Sequence, residues 1–126
     1  LTLASIIEKE TGKPEERPLI AAVFANRLRI GMPLQSDPTV IYGLPHFDGD
    51  LTRGDLAHPS PYNTYVVGGL PPGPIANPGL AAIDAALAPA DSSALYFVSR
   101  NDGSHEFSSN LAEHNRAVGR YQRGSH

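Results

Sequence analysis

Ile6-Ile7-Glu8-Lys9-Glu10-Thr11-Gly12 sets two carboxylates at the end of a short apolar helix that stops at a glycine. Leu1, Leu3, Ala4, Ile6 and Ile7 supply the apolar stripe, and Gly12 is a natural helix terminator. At roughly 100° per residue, Leu3, Ile6 and Ile7 share one face. Glu10 then projects between Ile6 and Leu3, inside the stripe, while Glu8 lies on its margin beside Ala4. A carboxylate set against apolar groups is costly, and its pKa rises unless a cation or hydrogen-bond donors compensate. A raised pKa is what a general acid working near neutral pH requires. The same position admits a plainer reading, in which Glu10 frays outward in the last turn or pairs with a basic residue, since Glu is rarely fully buried.

Outward from this helix, the chain alternates between short helical blocks and proline-glycine stretches. Pro14-Glu15-Glu16 opens a second helix, with acidic residues where the helix dipole favours them. Ile20, Val23, Phe24, Arg27 and Leu28 recur at three- and four-residue steps, and Gly31 closes that helix. From Met32 to Asn77 the chain reads mostly as loop, with short helical pieces near Pro38–Tyr42 and Arg53–Leu56. Pro78-Gly79-Leu80 starts another helix that runs to Pro89. Leu95–Val98 is the best strand, and Asn101-Asp102-Gly103 is a hairpin turn leading to a partner strand around His105-Glu106-Phe107. A last helix covers about Ser109 to Tyr121, with Leu111, Val118 and Tyr121 expected to face inward.

Loops this long inside a compact domain are often functional. This one carries Gln35, Asp37, Thr39 and Tyr42, then Tyr62-Asn63-Thr64-Tyr65, then the stiff stretch Gly68–Ile75, which suits a wall. Aromatic faces beside amides and hydroxyls suit a sugar, whose rings need an apolar platform and whose hydroxyls need donors and acceptors. The tyrosines could equally pack on the core with their hydroxyls bonded to nearby backbone.

The 126 residues make one domain, large enough for a hydrophobic core. With no Trp and four Phe, that core must be aliphatic. A net charge of −3 and the lack of a basic run argue against nucleic acid as a partner. No cysteine is present, which excludes disulfides and thiolate metal sites without choosing a compartment. His46, His58, His105 and His114 are scattered, with no His-x-x-x-His pair, so no metal site is expected. Neither a Gly-x-Ser-x-Gly motif nor a phosphate or dinucleotide loop occurs, and no cofactor is expected. The start in mid-helix at Leu1 gives the chain the look of an excised piece, and Gly124-Ser125-His126 the look of a tag remnant. No signal peptide or membrane span is present.

Several blocks together resemble the bacterial endolytic murein transglycosylases, the YceG-like family. They are Ala4–Thr11, Phe24–Met32, Leu34–Gly43, Tyr62–Tyr65, Gly69–Ile75, Leu95–Val98 and Phe107–Asn115. The resemblance covers nearly the whole chain in the family's order. It implies a catalytic domain over 1–123, a membrane anchor and a smaller domain upstream, and a location on the outer face of the bacterial cytoplasmic membrane. It implies peptidoglycan glycan strands as substrate, with peptidoglycan synthases as candidate partners. The implied reaction cleaves the β-1,4 bond between N-acetylmuramic acid and N-acetylglucosamine and leaves a 1,6-anhydromuramyl end. One carboxyl group suffices, because the substrate's own C6 hydroxyl is the nucleophile. Ordinary glycosidases use two carboxylates roughly 5 to 9 Å apart.

The family's catalytic glutamate lies in the Glu-Lys-Glu segment and matches Glu10, in agreement with the helical wheel. Glu8 is the fallback acid, and otherwise a structural partner for an Arg or for backbone donors. A non-catalytic glycan-binding module and a hydrolase using Glu10 with Asp37 as base are the competing readings. The expected fold is α+β: one domain, several helices around a small antiparallel sheet, with the Gln35–Ile75 loop lining a groove beside the first helix. Gln35, Asp37, Asn63, Tyr65, Asn110 and His114 are expected to converge on the cavity that contains Glu10, with Asn63 the strongest choice.

Overall fold

The computed structural model describes residues 1–10, 13–45, 47, 49, 51–100 and 104–123, with the side chains of 122 and 123 outside the description. The element order is α1 (Thr2–Glu10), a 3-10 turn (Pro14–Glu16), α2 (Arg17–Ile30), α3 (Asp37–Gly43), α4 (Arg53–Leu56), α5 (Leu80–Leu87), β1 (Tyr96–Ser99), β2 (His105–Ser108), α6 (Leu111–Val118) and a π turn (Gly119–Arg123). Among the described residues this is the expected α+β domain: six helices and a two-stranded antiparallel sheet. Gly12, the Asn101-Asp102-Gly103 turn, His46 and the suspected tag remnant lie outside the described residues.

The core is aliphatic, as the composition requires. Ile6 and Ile7 of α1, Ile20, Ala21 and Phe24 of α2, Leu34, Ile75, and Ala82 and Ala85 of α5 form one cluster. Alanines on α2 and α5 let three helices approach closely around the isoleucines. Phe24 meets Phe97 of β1 edge-on, with ring centroids 5.9 Å apart, which joins the sheet to the helical core. Such a contact adds about 0.5–1.5 kcal/mol beyond burial.

Two ends show how local chemistry sets the elements. Gly31, at φ 77°, ends α2 in a left-handed turn. Its N–H reaches the Leu28 carbonyl, and that of Met32 reaches Arg27 at 2.8 Å, which satisfies carbonyls that the helix leaves free. β1 pairs with β2 in the register Phe97↔Phe107 and Ser99↔His105, so the strand starts one residue later than Leu95, whose N–H still bonds the Ser108 carbonyl. In α6 the expected inward face is only partly right. Val118 and Tyr121 are half-buried, whereas Leu111 is 54% exposed and the buried residue of this helix is Ala117.

Candidate active site

A cavity of about 540 Å³ lies between the helical core and the hairpin with α6. One wall carries Glu10 at the end of α1, Arg27 from α2, and Gln35 and Asp37 at the start of α3, with Tyr65 from the long loop. The other carries Tyr96, Phe97 and His105 from the hairpin, and Leu111, His114 and Asn115 from α6.

Glu10 is half-buried. Burial raises its pKa from 4.5 to about 7; Asp37 adds to the rise, while the Ser36 hydrogen bond and Arg27 oppose it. Ser36 Oγ donates to Glu10 Oε1 at 2.8 Å. Glu8 has a different neighbourhood, two residues back on the margin. Its Oε1 accepts from the Gly79 N–H at 2.7 Å, and its Oε2 lies 3.9 Å from Arg17. It ties α1 to the start of α5 and to α2, the structural role expected of it.

Arg27 lines the cavity and is 6% exposed. Its Nε donates to the Leu95 carbonyl at 2.7 Å, Nη1 donates to the Leu34 carbonyl, and the guanidinium lies over the Tyr96 ring. Desolvation lowers its pKa, opposed by Tyr96, Glu10 and Tyr65. Tyr65 donates to Asp37 Oδ1 at 2.7 Å, and burial followed by this bond raises the pKa of its phenol. His114 stacks on Tyr96, with centroids 4.9 Å apart. Its Nδ1 is buried with no partner among the described residues, and burial and then Arg27 lower its pKa. His105 is held by Glu16, which accepts from its backbone N–H and meets its Nδ1, both at 2.8 Å.

Of the residues expected to converge, Gln35, Asp37, Tyr65 and His114 share this cavity with Glu10. Two do not. Asn63 is 1% exposed, and its amide is spent on its own loop: Nδ2 donates to the Leu56 and His58 carbonyls, and Oδ1 accepts from the Tyr65 N–H at 2.9 Å. A short amide in a loop serves an Asx turn as readily as a ligand, and here the turn takes it. Asn110 caps α6, accepting from the Glu113 N–H at 2.9 Å. The Gly68–Ile75 stretch does not line this cavity either. Ile75 packs into the core, its N–H held by Ser5 Oγ, and borders a separate cavity with Lys9, Pro38, Ile41 and Tyr42.

Among the residues that went unread in the sequence as parts of the site are Arg27, Ser36 and Tyr96. Arg27 had a signal, a cation inside the apolar stripe of α2, the counterpart of Glu10 inside that of α1. Ser36 had a weaker one, a serine just before a proline-started helix, which reads first as a cap. No group of three or more potential metal ligands occurs among the described residues, and no helix there is long and apolar enough to cross a membrane.

The sequence profile of the YceG-like family matches residues 1–120. An endolytic murein transglycosylase of Bacillus subtilis (strain 168) is 46% identical over 121 residues, covering 96% of this chain and 34% of its own length. One of Streptococcus pneumoniae (serotype 2, strain D39) is 40% identical over 124 residues, covering 94% of this chain and 22% of its own. The crystal structure of a yceG-like protein from Listeria monocytogenes superposes with a TM-score of 0.84 at 49% identity, covering 91% of this chain and 37% of that one. The chain therefore spans about a third or less of these curated relatives.

Proposed function

The chain belongs to the YceG-like family, and on that premise we propose that it carries the catalytic centre of an endolytic peptidoglycan lytic transglycosylase. The substrate is the glycan strand, cut at the β-1,4 bond between N-acetylmuramic acid and N-acetylglucosamine. The observation that carries this reading is Glu10, a carboxyl group whose burial raises its pKa to about 7, on the wall of a polar and aromatic cavity. The relatives named endolytic murein transglycosylase support the substrate class.

Neutral Glu10 gives its proton to the glycosidic oxygen as the bond to muramyl C1 breaks, releasing the N-acetylglucosamine hydroxyl. The resulting carboxylate takes the proton of the muramyl C6 hydroxyl as that oxygen bonds to C1. The 1,6-anhydro ring closes, Glu10 is protonated again, and no water is consumed. A pKa close to the working pH suits one group to both steps, since neither protonation state is then rare. Gln35, Asp37, Tyr65 and His114 are the proposed contacts to sugar hydroxyls and acetamido groups. Such a domain acts at the outer face of the bacterial cytoplasmic membrane, near the enzymes that extend the strands.

Mass analysis of glycan strands after incubation tests the proposal. Anhydro ends support it, reducing ends heavier by one water indicate a hydrolase, and unchanged strands indicate a binding module. Glu10→Gln should keep the fold and lose about 10²–10⁴ in rate, whereas Glu8→Gln should keep most of the activity. The opposite ranking would move the acid to Glu8.

A further inference from the structure

Ser36 stands where a helix cap belongs. It is the extended residue before α3, with proline in the first turn, and a serine there ordinarily accepts a backbone N–H of that turn. Its side chain makes no such bond. The hydroxyl is diverted to Glu10 Oε1 at 2.8 Å, so α3 forgoes its side-chain cap.

The hydroxyls around Ser36 hold its backbone on both sides and leave its own hydroxyl to Glu10. Thr39 Oγ1 donates to the Ser36 carbonyl at 2.7 Å, and the Ser36 N–H donates to Thr64 Oγ1 at 2.8 Å. Thr39 and Thr64 lie 2.8 Å apart, oxygen to oxygen. Each hydroxyl has one proton. Since that of Thr39 goes to the carbonyl, the Thr64 proton must go to Thr39, and only this arrangement gives every proton an acceptor. Ser36, Thr39 and Thr64 are all at most 1% exposed, so no solvent competes. Preceding them, Gln35 is the one non-glycine residue with positive φ among the described residues, at 53°. A strained conformation of this kind persists only where its surroundings hold it. Here it sets its neighbours Leu34 and Ser36 both inside the protein, Ser36 against Glu10.

We propose that Ser36 is a positioning residue for the acid, donating to Glu10 Oε1 so that the transferable proton resides on Oε2. This rests on the reading of Glu10 as the acid. The other charged or titratable groups lining the cavity with Glu10 are Arg27 of α2, Asp37 of α3, Tyr65 of the loop, Tyr96 and His105 of the hairpin, and His114 of α6. None of them hydrogen-bonds the Glu10 carboxyl group among the described residues.

Ser36→Ala tests this, because the Thr39 and Thr64 bonds use the Ser36 backbone and survive the change. A donor to a carboxylate favours its charged form, so its removal raises the Glu10 pKa. In carbon-13 NMR titrations of labelled glutamate, the Glu10 inflection should move to higher pH than in the parent protein. With strands as substrate, kcat should fall about tenfold, the loss expected of one hydrogen bond to a charged group. KM should change by less than about twofold if the bond acts on the transition state alone. The alkaline limb of the kcat/KM profile should move up in step with the titration. An unmoved or lowered inflection in a variant with parental circular dichroism overturns the proposal. Should Ser36→Ala not fold, the parent protein still decides: a slowly exchanging Ser36 hydroxyl proton must show a cross-peak to the Glu10 γ protons, and its absence overturns the proposal. The titration needs no substrate, so its failure is separate from failure of the transglycosylase reading, which product mass reports.

Discussion

Keeping Glu10 protonated up to about pH 7 costs the folded state stability wherever the unfolded chain has already ionised. The folded pKa lies above the unfolded one, so between 4.5 and about 7 the native state holds a proton that the unfolded chain has released. Stability therefore falls as pH rises through that window and levels off above it. At about 1.4 kcal/mol per unit, the loss is roughly 3 kcal/mol. Glu10→Gln carries no such titration. Denaturant unfolding at pH 4.5 and pH 8 should show the variant gaining on the parent protein by roughly that amount between the two. A stability difference that stays constant across this range would mean that Glu10 ionises as freely folded as unfolded. The apolar stripe marked this residue, although a fraying or ion-paired Glu10 would have fitted the same pattern, and the family resemblance weighed the reading toward the acid. Arg27 broke the pattern of α2 in the same way, yet a long cationic side chain can be imagined reaching solvent, so its burial was not legible.

Helices and strands were legible to within a residue or two because spacing, glycine and proline speak for the backbone directly. Side-chain direction in the loops was not, since an Asn, Ser or Tyr in a turn satisfies either its own backbone or a ligand with the same atoms. Asn63 and Ser36 divide on this point. Asn63 reads as a ligand-binding amide and is the staple of its loop, while Ser36 reads as a helix cap and faces the acid. Asn63→Ala should accordingly act through folding. It strips donors from two carbonyls and the acceptor from the Tyr65 N–H. At about 1 kcal/mol net per bond, the domain should lose roughly 2–4 kcal/mol. Thermal unfolding would register the loss, and turnover of the folded fraction should fall less than in Glu10→Gln. Parental stability combined with abolished turnover would restore Asn63 as a direct substrate contact.

At the scale of the molecule, the cavity is the seam between the helical core and the hairpin with α6, and its width depends on what ties them together. Asn26 of α2 donates to the Ser92 and Ala94 carbonyls, and Arg27 to that of Leu95, which anchors the chain entering β1. The far side is held at Glu16, 7% exposed, by the His105 backbone and ring. Nothing in this second tie touches the acid, whose orientation comes from Ser36. Cutting it should loosen the substrate wall and leave the proton donor in place. Glu16→Ala removes the acceptor of the His105 N–H and the ring's partner together. Amide exchange in β2 should quicken while α1 and α2 keep their protection, and KM should rise more than kcat falls, roughly tenfold against twofold, as expected when binding contacts are lost and the transition-state donor is kept. The opposite split, with kcat collapsing at constant KM, would mean that His105 belongs to the chemistry and not to the frame.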